Sequence, residues 1–297
     1  MTTRTRVVLL SSIPQLVWLA VVTQGVTGCW TAENGGHWSG SLLLVLATTV
    51  LGVFFSIPSS TTFGIPYRPI DAVLLMVCAV SALRIDHWSS GFDTETFAFG
   101  AAATIAAVSA AIASRALAVS DSSALRPRFP VDGAQWTVLA GEGRLLNHHW
   151  VAPLQRAAVD LVMVDRRGSS HRGILARSDE DYYAFGSPVH SPIDGTVVRC
   201  GDGLDDGNLD PRKPAGNHVV LSDGSEEILI AHLKKGSVAV AAGEQVHIGQ
   251  LLGSVGNSGN STEPHLHIHA QRDGRAVRIV FSDVRGRMWP GRRVVRR

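Results

Sequence analysis

Long apolar stretches occupy the first 120 residues of the chain, and much shorter ones follow. The long stretches cover residues 7–26, 41–57, 72–83 and 97–119. A helix rises about 1.5 Å per residue, so about 20 apolar residues are needed to cross a hydrocarbon core of about 30 Å. The first and last stretches meet this length, and the second does so if 38–59 is counted. The third, between Asp71 and Arg84, crosses only if both side chains snorkel. Residues 1–120 are therefore predicted to be a membrane region with three or four transmembrane helices.

The loop charges bear on the orientation of this region. Arg4 and Arg6 favour a cytoplasmic N-terminus, and the absence of a clean cleavage site of small residues favours an uncleaved anchor. Four spans would leave the rest of the chain in the cytoplasm, whereas three would place it outside the cell. The charge pattern favours four spans and the function argued below favours the outer face, so the number of spans stays open.

From about residue 121 the composition becomes polar and the apolar runs shorten. Residues 121–135, with Pro127 and Pro130, have the composition of a stiff linker, and an arginine-rich tail occupies 285–297. Between them, turn dipeptides such as Asp-Gly separate short runs that are typical of strands. The runs are 157–164, 188–189, 195–199, 218–221, 227–233, 237–240, 250–255 and 266–271. No long 3.6-residue period appears, so residues 136–284 are predicted to form an all-β domain of short antiparallel strands.

Composition narrows the chemistry that this domain can carry. Cys29, Cys78 and Cys200 lie far apart with no CxxC spacing, which excludes a disulfide framework and a cysteine-ligated zinc site. Any metal must then use histidine and carboxylate ligands. The net charge is +2, and basic residues do not alternate with aromatic ones, so a nucleic-acid partner is not expected.

A histidine pair follows the glycine-rich run 253–260. His265 and His267 are two residues apart on an apolar run, so their side chains point to the same face of a strand. His232 lies on another apolar run. Three histidines on two strands, with a glycine hairpin before one pair, predict a metal or catalytic site. His269 continues the alternation, either lining the groove or as a half-buried strand residue.

Five ordered blocks in this domain resemble the lysostaphin/LytM-type zinc metallopeptidases, the β-lytic metallopeptidase family. The blocks are 188–198, 216–221, 230–233, 240–250 and 253–267, and the similarity runs from about 147 to 271. The resemblance implies an antiparallel β-sheet core related to the barrel-sandwich hybrid, with a bound Zn²⁺. It also implies hydrolysis of peptide bonds in peptidoglycan stem peptides or cross-bridges.

The resemblance also implies roles for individual residues. His267 and Asp160 match zinc ligands of the family, and His232 and His265 match its catalytic pair. Many members have a further histidine ligand four residues before the aspartate, where this chain has Arg156. A variant branch instead has an N-x-H sequence upstream of a Q-R-x-A-x-D block, and 147–149 with 155–160 fit that pattern. The third ligand is then His149, with His148 as the alternative.

The predicted function is that of a membrane-anchored zinc metalloendopeptidase on the extracytoplasmic face, which acts through metal-activated water with histidine assistance. Its expected partners are peptidoglycan peptide and, through the N-terminal helices, the lipid bilayer; the need for a protein activator is open. One alternative is a degenerate, zinc-less domain that serves as a binding or regulatory module for cell-wall enzymes, but the near-complete metal set favours activity. A biotinyl or lipoyl carrier is a second alternative. It needs a lysine at a hairpin tip, whereas Lys234 and Lys235 follow His232.

Overall fold

The structure is a computed structural model that describes residues 3–55, 67–86, 88, 91–133, 135–143, 147–166 and 168–295, with the backbone alone for 3–15, 53–55 and 67–71. The N-terminal region is helical. Its helices are α1 (Thr3–Thr31), α2 (Gly35–Phe55), α3 (Tyr67–Ser81) and α4 (Thr94–Ala116). Helices α2 and α4 cross at two glycines, because a Cβ atom on Gly100 would collide with the backbone of Gly40. Close approach of two helix backbones requires residues of this size.

Helix α4 is the one described helix that is long and apolar enough to cross a membrane. Two shorter apolar segments are Leu16–Thr31, which is the part of α1 whose side chains the structure describes, and Ala72–Arg84. With 15 residues, α3 extends about 22 Å, less than a hydrocarbon core of about 30 Å. The described helices therefore do not support a region of three or four spans. Residues 56–57 of the second predicted span, and the side chains of Arg4, Arg6 and Asp71, lie outside the described residues.

The C-terminal part of the chain is built of antiparallel strands, as the short apolar runs predict. The strands are β1 (Trp136–Ala140), β2 (Val159–Met163), β3 (Pro188–His190), β4 (Gly195–Gly201), β5 (Asn217–Ser222), β6 (Glu227–Leu233), β7 (Gln245–Val246), β8 (Leu251–Ser254), β9 (Leu266–Arg272) and β10 (Arg275–Val277). The main sheet has the order β1-β2-β9-β6-β5-β4-β7, with β10 beside β9, and β3 pairs with β8 in a second sheet. The prediction of a strand at 237–240 is wrong, since those residues are outside any strand.

Alternation along β9 separates the hydrophobic core from the candidate site. Leu266, Ile268 and Ala270 are fully buried in the core cluster. The intervening His267 and His269 therefore project from the opposite face of the sheet, because successive strand side chains alternate. The core holds the sheet rigid from one side, and the histidines occupy the other.

The segment with a linker-like composition packs against the β-domain where the structure describes it, at 121–133. Phe129 is buried against Phe281, with ring centroids 5.2 Å apart in an edge-on arrangement. The buried carboxylate of Glu226 accepts hydrogen bonds from the hydroxyl of Ser123, the Ala124 amide at 3.0 Å and the Arg272 guanidinium at 3.0 Å. Residues 121–133 are thus fixed on the domain at two points.

The arginine-rich end of the chain also contacts the domain. Met288 and Val294 are buried, and their amides donate to the Glu142 carboxylate at 2.7 Å and to the Trp136 carbonyl at 2.8 Å. Trp289 lies between the guanidinium groups of Arg115 and Arg287, at 4.9 and 4.5 Å from its ring centroid. The contact with Arg115 joins this end of the chain to the last turn of α4. Arg296 and Arg297 lie outside the described residues.

We expect the Glu226→Ala substitution to lower the free energy of unfolding by about 2–3 kcal/mol, because it leaves buried donors without their charged acceptor. Glu227→Ala is the matched control. Glu227 is part-exposed: its carboxylate lies 3.5 Å from Arg199 and accepts a hydrogen bond from the Gln271 side chain at 2.7 Å, so its loss is expected to cost about 1 kcal/mol or less. Denaturant titration of the full chain in detergent, followed by tryptophan fluorescence, measures both. Equal destabilisation by the two substitutions would contradict this account of Glu226.

Candidate active site

A buried carboxylate lies at the centre of a histidine cluster on the open face of the sheet. Asp160, on β2, is 2% exposed. Its Oδ2 atom lies 2.9 Å from Nε2 of His149, and its Oδ1 atom lies 2.9 Å from Nδ1 of His267. Nε2 of His148 also approaches Oδ2, at 3.3 Å, but the side chain of His148 is 69% exposed. Both oxygens of one carboxylate are thus engaged by imidazoles from different parts of the chain.

Strand pairing explains how His267 reaches Asp160. The two residues are directly opposite in the antiparallel β2–β9 pair, and His267 is in turn opposite Ala231 on β6. Directly opposed residues project from the same face with their Cβ atoms about 5 Å apart. The register of three central strands therefore fixes the Asp160–His267 contact.

His232 joins the same face through an unusual backbone conformation. Regular alternation would place Ala231 and His232 on opposite faces, but His232 has a φ of 60°, in the left-handed region. Its ring centroid lies 4.8 Å from that of His265 and 5.6 Å from that of His267. Non-glycine residues in this conformation are found preferentially at functional sites.

Hydrogen bonds to backbone carbonyls fix the tautomers of His232 and His265. Nδ1 of His232 lies 2.9 Å from the Ser258 carbonyl oxygen, and Nδ1 of His265 lies 2.8 Å from the Glu263 carbonyl oxygen. A carbonyl oxygen only accepts, so each Nδ1 carries the proton and each Nε2 is the acceptor nitrogen. Nε2 of His265 lies 3.6 Å from Asp160 Oδ1. Two imidazoles therefore present proton-accepting nitrogens at the cluster.

A short turn places His149. The side chain of Asn147 donates to the carbonyls of Gly141 and Gly143 at 2.8 and 2.9 Å, and its oxygen accepts from the His149 amide at 3.0 Å. Arg156 points elsewhere: its Nε donates to the Trp150 carbonyl, and its guanidinium lies 5.1 Å from the Trp150 ring centroid. The position where many family members have a histidine therefore takes no part in the cluster.

Burial sets the protonation of these groups. Burial lowers the pKa of His232 well below its usual range and also lowers the pKa of His267. Burial by itself raises the pKa of Asp160, but the neighbouring imidazoles, above all His149 and His265, outweigh it and hold that pKa well below its usual range. A histidine that binds a metal must be neutral and an aspartate ligand must be ionised. These pKa shifts therefore favour the protonation states that metal ligation requires.

The donor set fits a zinc ion. The ligand atoms of His148, His149 and Asp160 all lie within 4.8 Å of one another, and His267 engages the second oxygen of the same carboxylate. Two imidazole nitrogens and one carboxylate form the three-ligand set of catalytic zinc sites, which keep a fourth position for water or substrate. His148 and His149 both reach Asp160, so the geometry alone leaves two candidates for the third ligand.

The cluster opens into a groove with a volume of about 520 Å³. Leu139, Leu154 and Pro214 line it with apolar surface, and Arg199 and Glu263 add charge. This volume is in the range of sites that enclose a small organic molecule or a short peptide segment. A group bound in the groove would contact the histidine cluster directly.

The five site residues predicted from the sequence, His149, Asp160, His232, His265 and His267, all lie in this cluster. The roles that the family resemblance implies for them stay predictions. Asn147, which orients His149, was recognised only as the first residue of the N-x-H sequence and was given no role of its own, because a local turn contact leaves no periodic signal in the sequence. The HxHxH alternation already pointed to His269, whose Nδ1 lies 2.9 Å from Nε2 of His267.

Comparison with known proteins identifies this domain. The profile of peptidase family M23 matches residues 170–279, which include His232, His265 and His267 but not His149 or Asp160. Over 100 residues the chain is 31% identical to the peptidoglycan DD-endopeptidase ShyA of Vibrio cholerae, an alignment that covers 34% of this chain and 21% of ShyA. Over 102 residues it is 33% identical to the glycyl-glycine endopeptidase ALE-1 of Staphylococcus capitis, covering 34% of this chain and 24% of ALE-1.

A solved structure with a similar chain is the catalytic domain of lysostaphin from Staphylococcus simulans. It is 22% identical with a TM-score of 0.29, and the alignment covers 48% of this chain and 86% of that domain. The assignment rests on the family profile and the sequence relatives, of whose lengths the alignments span about a quarter or less. The β-domain of this chain therefore contains a peptidase family M23 domain of the LytM/lysostaphin type.

Proposed function

We propose that the chain is a zinc-dependent endopeptidase that hydrolyses peptide bonds of peptidoglycan. The observation that carries this proposal is the buried Asp160 carboxylate, with His149 on one oxygen and His267 on the other, beside a second histidine pair in an open groove. The substrate class is supported by the sequence relatives, two of which are named as peptidoglycan or glycyl-glycine endopeptidases.

In this proposal His149, Asp160 and His267 hold the zinc. Bound there, zinc would supply Lewis acidity to the scissile carbonyl and would acidify a water molecule. His232 and His265 handle the proton, because their Nε2 atoms are acceptors. An imidazole that takes a proton from the attacking water can then pass it to the leaving amine. Burial keeps the pKa of His232 low, so this imidazole is available as a base at neutral pH.

We further propose that the N-terminal helices anchor the enzyme to the cell membrane, with the M23 domain on the extracytoplasmic face. Helix α4 is long and apolar enough to cross, and the chain continues from its last turn into residues that pack on the domain. Peptidoglycan lies outside the membrane, which requires the groove to face outward. Protease accessibility of the M23 domain in intact spheroplasts tests this orientation: cleavage supports the outer face, and full protection contradicts it.

Zinc content and hydrolysis together test the enzymatic proposal. We expect the full chain purified in detergent to bind about one zinc per chain and to release new amino termini from isolated sacculi, with both properties lost after chelation and restored by zinc. Metal analysis and mass spectrometry of the released peptides measure them. A folded protein that binds no zinc and releases no peptides would contradict the proposal and favour a zinc-less binding module.

The third ligand is tested by two neighbouring substitutions. We expect His149→Ala to lower zinc affinity by more than about 100-fold, since its buried imidazole lies 2.9 Å from Asp160 and ligand loss exceeds the 10–100-fold typical of outer-shell changes. His148→Ala is the matched control and is expected to change affinity by less than about threefold, because a largely exposed imidazole contributes little. Competition with a chromophoric chelator measures both affinities. The opposite order would assign the ligand to His148.

A further inference from the structure

A third histidine continues the alternation of the HxH pair and contacts the middle one. Nδ1 of His269 lies 2.9 Å from Nε2 of His267, and the two rings are nearly perpendicular, with centroids 5.2 Å apart. His267 is 4% exposed and His269 is 6% exposed, so water does not compete freely for this contact. His269 lies opposite Leu229 on β6, and the strand register therefore holds its ring beside that of His267.

The two ring nitrogens of His267 face different partners. Nδ1 faces Asp160 at 2.9 Å and Nε2 faces His269 at 2.9 Å. A neutral imidazole carries one proton, and the nitrogen that ligates a metal must carry the lone pair. If Nδ1 is the ligand, Nε2 carries the proton and donates it to Nδ1 of His269. His269 must then be neutral, with its own proton on Nε2.

We propose that His269 is a positioning residue that accepts a hydrogen bond from Nε2 of His267 and thereby fixes Nδ1 of His267 as the zinc-binding nitrogen. The proposal deepens the proposed function and rests on it. His269 is not itself a proposed ligand, because its described hydrogen bond is to His267 and not to the Asp160 carboxylate. Outer-shell acceptors of this kind orient the ligand imidazole and raise its basicity, and their loss costs about 10–100-fold in metal affinity.

Two substitutions separate this role from simple packing. Asparagine places its side-chain oxygen near the position of the histidine Nδ1 and keeps an acceptor, whereas leucine fills the space without one. We expect His269→Leu to weaken zinc binding by about 10–100-fold and His269→Asn by less than about threefold. Chelator competition measures the affinities in the full chain. Equal affinity in the leucine variant and the wild type would overturn the proposal, as would equal losses in both variants.

A spectroscopic measurement tests the contact independently of catalytic activity. Long-range ¹H–¹⁵N correlation spectra of histidine-labelled protein report which nitrogen of His267 and of His269 is protonated. In the zinc-loaded wild type we expect both His267 and His269 to carry their proton on Nε2, which leaves Nδ1 of His269 free to accept. In the metal-free protein Nδ1 of His267 faces the Asp160 carboxylate, which only accepts, so the proton of His267 should lie on Nδ1. A folded wild type that binds no zinc would contradict the proposed function and not the contact, which the metal-free spectra still report through the proton between His267 and His269. Nδ1 protonation of His269 in the zinc-loaded wild type would overturn the inference itself, because that nitrogen could then not accept from His267.

Discussion

We expect Asp160→Asn to abolish zinc binding and peptidoglycan hydrolysis together. The carboxylate of Asp160 lies 2.9 Å from a ring nitrogen of both His149 and His267, so the substitution removes the negative charge between two of the proposed ligands. Asparagine keeps the size of the side chain but replaces one acceptor oxygen with a donor, which faces an imidazole nitrogen or the metal. The loss in zinc affinity should exceed the 10–100-fold that outer-shell changes typically cost, and hydrolysis should fall to the level of the chelated enzyme.

Asp205→Asn provides the control for this experiment. Asp205 is an aspartate with 64% of its side chain exposed, paired with Lys235 at 2.5 Å in the loop that follows β4. We expect this variant to keep the zinc content and the rate of the wild type, because an exposed ion pair contributes little. Circular dichroism shows whether both variants are folded. An Asp160→Asn protein that is folded and still binds zinc with unchanged affinity would remove Asp160 from the ligand set.

Local spacing was enough to predict part of this site. The alternation of His265, His267 and His269 on an apolar run places the last two on one face of β9, because the side chains of a strand repeat every two residues. The order of the sequence blocks then indicated the family, which the profile match confirms. Alternation and block order are both read directly along the sequence, so they can be recognised without any knowledge of the fold.

Contacts between distant segments were harder to predict from the residues alone. Asp160 and His267 are 107 positions apart, and their contact depends on the pairing of β2 with β9, which no local pattern specifies. The left-handed backbone of His232 is a second example, since alternation alone would turn its ring away from the site. The two-residue strand β7 was missed because so short a run carries no periodic signal.

The segment before the β-domain shows a different way in which a prediction from sequence can differ from the structure. Proline and arginine at 126–130 are typical of a linker, yet Phe129 packs in the core and Glu226 accepts hydrogen bonds from residues 123 and 124. Amino-acid composition describes the average character of several neighbouring residues. A single buried aromatic side chain and one buried carboxylate are nevertheless enough to hold a segment against the domain. Experiments on the M23 domain should therefore keep these residues in the protein.

The second large effect concerns the histidine pair beside the proposed metal ligands. We expect His232→Asn and His265→Asn each to lower kcat/KM on peptidoglycan peptides by about 10²–10⁴-fold, the range typical of losing a general acid or base. Zinc affinity should change by less than about threefold, because neither imidazole is a proposed ligand. Asparagine is chosen because it tolerates the left-handed backbone at position 232 better than most residues, which limits the loss of stability.

The double variant tests whether the two imidazoles act as one unit. Their rings lie 4.8 Å apart and each presents Nε2 as an acceptor, so removing the second after the first should cost much less than the first alone. His218→Asn is the control, since this histidine lies on β5 with its Nδ1 2.8 Å from the Gly216 carbonyl oxygen and does not line the groove. Steady-state kinetics with a defined peptide and chelator competition measure both effects. A His232→Asn variant that retains full kcat/KM would leave His265 as the sole base, and zinc loss from either variant would move that histidine into the ligand set.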